Sequence, residues 1–181
     1  MRLNDCLAKS FPSLNSGADK HKGGETVNTN GGVLGRLFSA LNRGDHEEMA
    51  ACYAPDATFE DIAFRLKGRS RIHAMWHMIC ETDIKATFDV VHEDDKQGRV
   101  KLVDHYTFQE TGKKVDNVID SHFELRNGLI VEHNDYCDAE KWATMAMGSV
   151  LGFLPGRFRP LRSSMAFVKL WMFRRKHHQY R

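Results

Sequence analysis

The segment Lys114–Asp138 constrains the fold of this chain more than any other. It consists of two stretches in which apolar and polar side chains alternate, joined at Arg126-Asn127-Gly128. An Asn-Gly pair between two such stretches is a strong hairpin signal, because both residues tolerate the positive φ angles of a tight turn. The segment therefore predicts a β-hairpin in which each strand has two faces of different chemistry.

One face of this hairpin combines apolar and ionisable side chains. Alternate side chains along a strand share a face, and the more apolar face of the first strand carries Val115, Asn117, Ile119, Ser121, Phe123 and Leu125. On the second strand, Val131, His133, Asp135 and Cys137 share a face. Because a histidine and an aspartate are costly to bury without partners, we expect these faces to line a ligand cavity rather than a packed core.

Helical spacing of apolar residues predicts three helices before the hairpin. They begin near Val33, Asp45 and Gly68, and Asp45 is expected to cap the second helix with Glu48 as its capping-box partner. That helix is expected to include Tyr53 and to stop at Pro55, before a short strand at residues 57–61.

From Lys85 onward the period changes to two, which predicts strands. Short turn-like connections separate four such segments, which are Ala86–Glu93, Arg99–Gln109, Val115–Leu125 and Leu129–Asp138. Short connections favour an antiparallel meander. The order of elements therefore predicts an α+β domain over residues 31–148, in which the N-terminal helices cover one face of a curved antiparallel sheet.

Composition and cysteine spacing predict a cytoplasmic protein. The chain is 41% hydrophobic and 28% charged, and no run approaches the ~18 apolar residues of a membrane-spanning helix. The N-terminus lacks the apolar stretch of a secretory signal. Four cysteines show no metal-ligand spacing, which is typical of reduced thiols. The first 30 residues are rich in Ser, Asn, Gly and Lys, so we expect a flexible extension there.

The last 33 residues, 149–181, differ in charge from the rest. They carry eight of the 26 basic residues and none of the 24 acidic ones. Large apolar side chains lie between the arginines, among them Phe153, Phe167, Trp171 and Phe173. We expect a helical tail that folds back onto the domain or a dimer partner and buries these side chains, with peripheral contact to an anionic membrane as the alternative. Nucleic-acid binding is not expected, because the main domain is acidic.

Three stretches resemble the nuclear transport factor 2-like superfamily, which includes SnoaL-like polyketide cyclases and ketosteroid isomerases. They are ALNRGDHEEMAACYAPDATFED (Ala40–Asp61), LKGRSRIHAMW (Leu66–Trp76) and DSHFELRNGLIVEHNDYCD (Asp120–Asp138). The stretch DYCDAEKWATMAMG also resembles a SnoaL-like subgroup. The resemblance implies a cone-shaped fold with a ligand cavity between sheet and helices, often in a homodimer.

The resemblance carries over catalytic residues only in part. Asp61 matches the general base of ketosteroid isomerases, but their oxyanion-hole positions fall near Leu37 and Ser121, which argues against steroid isomerisation. The arginine of the epoxide hydrolase triad has no counterpart in residues 101–106. Asp104 and Asp135 match, by position, the acids that SnoaL-like enzymes place on later strands.

The candidate catalytic residues are therefore Asp61, Asp104, His133 and Asp135. The candidate substrate-binding residues are Tyr53, Trp76, Tyr106, Asn117, Ser121 and Phe123. Together they predict acid/base catalysis, of isomerase, cyclase or hydrolase type, on an apolar carbonyl-containing or polyketide-like compound. The alternative is a non-catalytic ligand-binding or protein-interaction module, in which Asp61 caps a loop, Asp104 reaches water, and His133 and Asp135 merely pair.

Metal and cofactor chemistry is not expected from the sequence. His73 and His77 are one helical turn apart with Glu81 a turn further, a spacing compatible with a metal. Their position beside Trp76 fits the solvated edge of a helix face better. No glycine-rich phosphate loop and no Ser/His/Asp nucleophile pattern is present.

Overall fold

The computed structural model describes residues 32–148 and 159–180. Its elements in chain order are α1 (Val33–Arg43), α2 (His46–Ala51), β1 (Tyr53–Glu60), β2 (Arg65–Lys67), α3 (Arg69–Cys80), β3 (Lys85–Glu93), β4 (Gln97–Phe108), β5 (Lys113–Arg126), β6 (Leu129–Cys137), α4 (Ala139–Met147), α5 (Arg159–Lys176) and a 3₁₀ turn (His178–Tyr180). The predicted N-terminal extension, residues 1–30, and Phe153 of the tail lie outside the described residues.

The six strands form one sheet in the order β2-β1-β6-β5-β4-β3. Strands β3 to β6 are the antiparallel meander that the sequence predicts. Strand β1, however, runs parallel to β6, so the sheet is mixed rather than wholly antiparallel. The chain crosses from β1 through β2 and α3 to the far edge of the sheet. The meander then returns and places β6 beside β1 in the same direction.

The second helix is shorter than the sequence predicts. It ends at Ala51, and both Tyr53 and Pro55 lie in strand β1. Pro55 is tolerated there because the β1–β6 register shifts between Tyr53 and Thr58, so its missing N–H interrupts no regular pairing. Tyr53 consequently points from a strand into the interior, where it is wholly buried.

Local turn and cap signals are found where the sequence places them. The side chain of Asp45 accepts a hydrogen bond from the Glu48 amide at 3.0 Å and so caps α2. Asn127 and Gly128 have φ angles of 54° and 71°, which are the positive values required by a two-residue hairpin turn.

The core lies between α1–α3 and one face of the sheet. The predicted inward face of β5 is buried from Val115 to Leu125 at every second residue. Phe38 of α1 packs against Phe88 and Phe123 at ring-centroid distances of 5.4 and 6.3 Å. Helix α1 approaches closely at Gly98, where a Cβ atom would lie 2.3 Å from Leu34 Cδ1. Glycine at this strand position is therefore required by helix packing.

Strand β6 contains a bulge that changes which side chains face inward. Leu125 pairs with Ile130 and Glu124 with Glu132, so Val131 is an extra residue without a paired position. Ile130 and His133 are both wholly buried although they are three residues apart. Strict alternation predicts Val131 inside, and the bulge replaces it with Ile130 while leaving His133 inside.

Helix α5 folds back onto α3 and buries part of its apolar surface. Leu170, Phe173 and Tyr180 are buried, which agrees with the predicted docking of the tail. Phe167 and Trp171 are 42% and 57% exposed, so the prediction that they are buried is wrong for the single chain. Exposed beside them are Met165, Val168 and Met172. No helix in the described ranges is both long and apolar enough to cross a bilayer.

The docking of α5 depends on its buried side. Replacing the buried Phe173 by alanine removes a side chain whose loss from a core typically costs about 3–5 kcal/mol. We expect amide hydrogen exchange in α5 of Phe173→Ala to be at least ~10-fold faster than in the unchanged protein, while exchange in β5 is unchanged. Met172→Ala, one residue away and 53% exposed, is the matched control. Equal exchange in the two variants would contradict this docking.

Candidate functional site

A chain of hydrogen bonds runs through the interior from α3 to β6. Trp76 Nε1 donates to the Tyr53 hydroxyl at 3.1 Å, and that hydroxyl lies 2.7 Å from His133 Nδ1. His133 Nε2 lies 2.8 Å from Asp135 Oδ1. Because an ionised Asp135 carboxylate can only accept, Nε2 of His133 donates to it, and Nδ1 then accepts the proton of the Tyr53 hydroxyl. The hydrogen bonds therefore fix one tautomer of His133.

The interior around this chain is filled with aromatic side chains. Tyr53 and His133 are wholly buried and Trp76 is nearly so. The Phe123 and Phe59 rings lie 4.2 and 4.8 Å from the His133 ring, measured between centroids. Burial holds the pKa of the Tyr53 hydroxyl well above its ordinary value. Tyr53, Trp76 and Phe123, predicted as substrate contacts, thus form a packed layer behind Asp135.

Asp135 lies where this packed layer meets an open cleft. Its side chain is 13% exposed, and its Oδ1 atom accepts hydrogen bonds from both Ser121 Oγ and the His133 ring. The cleft has a volume of about 220 Å³ and is lined by residues 60–62 and 134–137. Asp135 is therefore the member of the buried chain that a ligand in this cleft can reach.

Asp61 lines the same cleft from the loop after β1. Its Oδ1 atom accepts the backbone amide of Ala63 at 2.7 Å and that of Phe64. Burial raises the pKa of Asp61 to about 6, although the two hydrogen bonds lower it. The negative charge of Asp135 adds to the rise. Asp61 therefore organises its loop and also presents a carboxyl group of unusual pKa to the cleft.

Asp104 lies in the middle of β4, between Ala86 of β3 and Asn117 of β5. Among the residues that the structure describes, its buried Oδ1 atom has no hydrogen-bond partner. Burial raises the pKa of Asp104 to about 8, with a further contribution from the Asp135 carboxylate. At neutral pH, Asp104 is therefore mainly a protonated carboxyl group, able to donate a hydrogen bond.

Tyr106 belongs to the same electrostatic group. The pKa of Tyr106 is raised to about 12, mainly by burial, and the charges of nearby Asp104, Cys137 and Asp61 contribute to that rise. Its hydroxyl accepts a hydrogen bond from Trp142 Nε1 at 2.7 Å. Trp142, on α4, is not among the site residues predicted from the sequence. The one feature of the sequence that could have indicated it is its position, as an aromatic residue with an N–H donor just after the last strand.

The predicted site residues thus divide into two groups. Asp61 and Asp135 line the cleft, and charge interactions link Asp104 and Tyr106 to them. The remaining predicted residues, Tyr53, Trp76, Asn117, Ser121, Phe123 and His133, are buried. The cleft residues that sequence reasoning missed are Glu60, Ile62, Asn134 and Tyr136. Their positions follow from the bulge and the β1–β6 pairing, which the sequence pattern does not reveal.

Comparison with known proteins places this arrangement in a family. The family model of the SnoaL-like domain matches residues 34–133. The chain belongs to the SnoaL-like domain family. None of the curated proteins matches the chain significantly.

Solved structures share the fold of this SnoaL-like chain. A proposed polyketide cyclase from Silicibacter sp. TM1040 is 20% identical, with a TM-score of 0.57 over 62% of this chain and 91% of that one. An LEH-like epoxide hydrolase of M. tuberculosis is 16% identical, with a TM-score of 0.52 over 67% and 92%. A Catenulispora acidiphila DSM 44928 protein with a ketosteroid isomerase-like fold, in complex with trimethylamine, is 14% identical, with a TM-score of 0.57 over 70% and 95%. These matches confirm the predicted nuclear transport factor 2-like fold.

The protonated state of Asp104 has a consequence for stability in this SnoaL-like protein. Its pKa is about 8 in the folded chain, against an ordinary 3.8, so unfolding releases its proton between these pH values. Stability should therefore fall as pH rises from 4 to 8, by at most about 1.4 kcal/mol per pH unit from this group. Asp104→Asn has no proton to lose, and we expect it to flatten this part of the profile.

Urea unfolding at several pH values between 4 and 9 measures this difference. Asp89→Asn, an exposed residue on the neighbouring strand β3, is the control and should follow the unchanged protein at every pH. A parallel pH profile for Asp104→Asn and the unchanged protein would show that Asp104 is ionised in the folded state at neutral pH.

Proposed function

We propose that this SnoaL-like protein carries out acid/base catalysis on a small apolar carbonyl compound bound between residues 60–62 and 134–137. The observation that carries the proposal is the pair of carboxyl groups, Asp61 and Asp135, on the wall of one cleft. Asp135 is held from behind by the buried His133–Tyr53–Trp76 chain. Membership of the SnoaL-like family, with its isomerase or cyclase role at the level of the family, supports the proposal.

Asp61 is the general base in this proposal. A base works best when its pKa is near the working pH, and the pKa of Asp61 is about 6. Its carboxylate removes a proton from the carbon next to the substrate carbonyl, and the electron pair of that C–H bond moves onto the carbonyl oxygen. The proton on Asp61 then returns to a different carbon in an isomerisation. In a cyclisation, the enolate carbon instead bonds to a second carbonyl carbon of the same substrate. The electron pair of that C=O bond moves onto its oxygen, which takes up the proton from Asp61.

Asp104 is not among the residues that line the cleft, but its charge interaction with Asp135 places it beside that residue. In this proposal it is the acid that stabilises the enolate. A protonated carboxyl group can donate a hydrogen bond to a developing oxyanion, and such a bond is stronger where water is excluded. The raised pKa of Asp104 keeps that proton in place at neutral pH. His133 is a positioning residue, because it contacts Asp135 rather than the substrate. Its fixed tautomer holds the Asp135 carboxylate at the cleft.

The size of the cleft limits the substrate. Its volume of about 220 Å³ is below the ~300–1,000 Å³ of typical ligand pockets. A small carbonyl compound fits within it. A larger, polyketide-like compound would place one ring or one chain end in the cleft and leave the remainder outside. Names of structural neighbours support this class, since they include a proposed polyketide cyclase and a cyclase-like enzyme in pyran ring formation.

The alternative function is non-catalytic, as a ligand-binding or protein-interaction module. Two observations favour it: the interior behind Asp135 is filled by side chains, and α5 exposes Trp171 and its apolar neighbours. The exposed side of α5 is also the surface that the predicted homodimer or the predicted membrane contact would use. Both contacts stay predictions, as does the cytoplasmic location.

The proposal is tested by exchange of carbon-bound hydrogen in D₂O. Acetylacetone and a short β-keto thioester serve as probes, and NMR follows loss of the signal of the proton between the carbonyls. We expect exchange above the buffer rate, reduced by at least ~10²-fold in Asp61→Asn and in Asp135→Asn. Asp56→Asn is the control, because Asp56 lies on β1 outside the cleft and pairs with Arg126. This variant should catalyse hydrogen exchange at the rate of the unchanged protein.

Two results would reject the catalytic reading. Exchange that persists in both cleft variants would mean that Asp61 is not the base and that Asp135 does not assist it. Absence of exchange with any probe, together with a small molecule that co-purifies in native mass spectrometry, would favour the binding module. Circular dichroism of each variant shows whether it is folded, and the isosteric amides are expected to preserve packing.

A further inference from the structure

Four histidines gather outside the candidate catalytic cleft, between α2, α3 and the C-terminal segment. His46 lies on α2, His73 and His77 on α3, and His177 directly after α5. The His46 and His77 rings stack with centroids 3.7 Å apart, and the His77 and His177 centroids are 4.8 Å apart. None of them contributes to the proposed acid/base chemistry.

Three donor atoms in this cluster converge on one point. His46 Nδ1 lies 2.9 Å from His73 Nε2, and Glu47 Oε1 lies 3.8 Å from the first and 3.6 Å from the second. A triangle with these sides has a point about 2.0–2.1 Å from all three corners, which is the length of Zn–N and Zn–O bonds. The three ligand atoms also form a potential metal-ion cluster by mutual distance alone, all within 4.8 Å.

The burial of the two imidazoles suits a metal site. The side chains of His46 and His73 are 22% and 16% exposed, whereas Glu47 is 71% exposed. The exposed Glu47 carboxylate leaves the convergence point accessible from solvent.

A pocket of about 600 Å³ adjoins these donors. Glu47 and His73 lie on its wall together with Arg69 and Ser70, at the N-terminus of α3, and Tyr180. Arg69 Nε is buried without a hydrogen-bond partner among the described residues. A buried guanidinium donor beside a helix N-terminus favours an anionic ligand. The pocket thus offers space and positive charge next to two of the three donor residues.

We propose that His46, Glu47 and His73 bind a divalent metal ion of the zinc class and leave one coordination position open towards the Arg69 pocket. Two imidazole nitrogens and one carboxylate oxygen are a donor set that zinc accepts in sites with an exchangeable fourth ligand. The class of fourth ligand is water or a small oxyanion such as phosphate or a carboxylate. Of His73, His77 and Glu81, which the sequence spacing makes compatible with a metal, this site includes His73 alone. The packing of α2 on α3 brings His46 and Glu47 to it.

Titration with zinc, in competition with a chromogenic chelator, tests the proposal on the full chain without an affinity tag. We expect one Zn²⁺ per chain, and affinity at least ~10-fold weaker in Glu47→Gln and in His73→Gln. His105→Gln is the control, because His105 pairs with Asp116 in an exposed position on the sheet. Glu47→Gln is the decisive variant, since the exposed side chain can be changed without disturbing the core.

Cobalt(II) provides a second readout that a purely structural role would not produce. Bound at the proposed site, Co²⁺ should give the intense visible bands of a tetrahedral complex, and added phosphate should change them through the open position. Unchanged zinc affinity in both Glu47→Gln and His73→Gln, or several weak sites per chain, would overturn the proposal.

Discussion

The burial of the His133 imidazole is the constraint on which the arrangement of the interior depends. A wholly buried ring has two nitrogens that each need a partner, and an unsatisfied one costs about 1–3 kcal/mol. Tyr53 supplies one partner and Asp135 the other. Tyr53 can do so only because β1 runs parallel to β6, with Phe59 paired directly to His133. The mixed sheet and the polar interior are therefore consequences of the same pairing.

The same burial gives the cleft its acid/base character. Asp61, Asp104 and Asp135 approach one another in a poorly solvated region, where ionising all of them at once is unfavourable. Asp135 receives hydrogen bonds from Ser121 and His133. Among the described residues, none donates a hydrogen bond to the buried Oδ1 atom of Asp104, and the pKa of Asp104 is the highest of the shifted carboxyl groups. Asp61 accepts two backbone amides, and its pKa is about 6. Hydrogen bonding thus helps to separate the acid, Asp104, from the proposed base, Asp61.

Local signals made much of the fold predictable. The alternation along β5, the Asn127-Gly128 turn and the Asp45 cap are each decided by a few adjacent residues, and each is found as expected. The local pattern places Tyr53 in a helix that Pro55 ends, because the strand that pairs with this segment, β6, is distant in sequence. No local pattern reports a partner that lies about 80 residues away.

The candidate site was predictable in its residues more than in its shape. Strand parity selected His133 and Asp135, and the resemblance selected Asp61. The expectation of a cavity around them assumed that buried polar groups need a ligand or water. In the structure they satisfy one another, through Tyr53 and Trp76. That solution depends on side-chain geometry across three elements, which periodicity does not encode.

Helix α3 joins the two proposed sites. Trp76 faces the interior and donates to Tyr53, while His73, three residues earlier, faces α2 and the donors of the proposed metal site. His77 on the same helix contacts the Tyr180 hydroxyl at 3.0 Å, which ties the C-terminal turn to this surface. Because a helix moves nearly as a rigid body, a displacement large enough to separate His73 from His46 also strains the Trp76–Tyr53 hydrogen bond. The position of α3 is therefore determined from both sides, by the interior hydrogen bonds and by the histidine cluster.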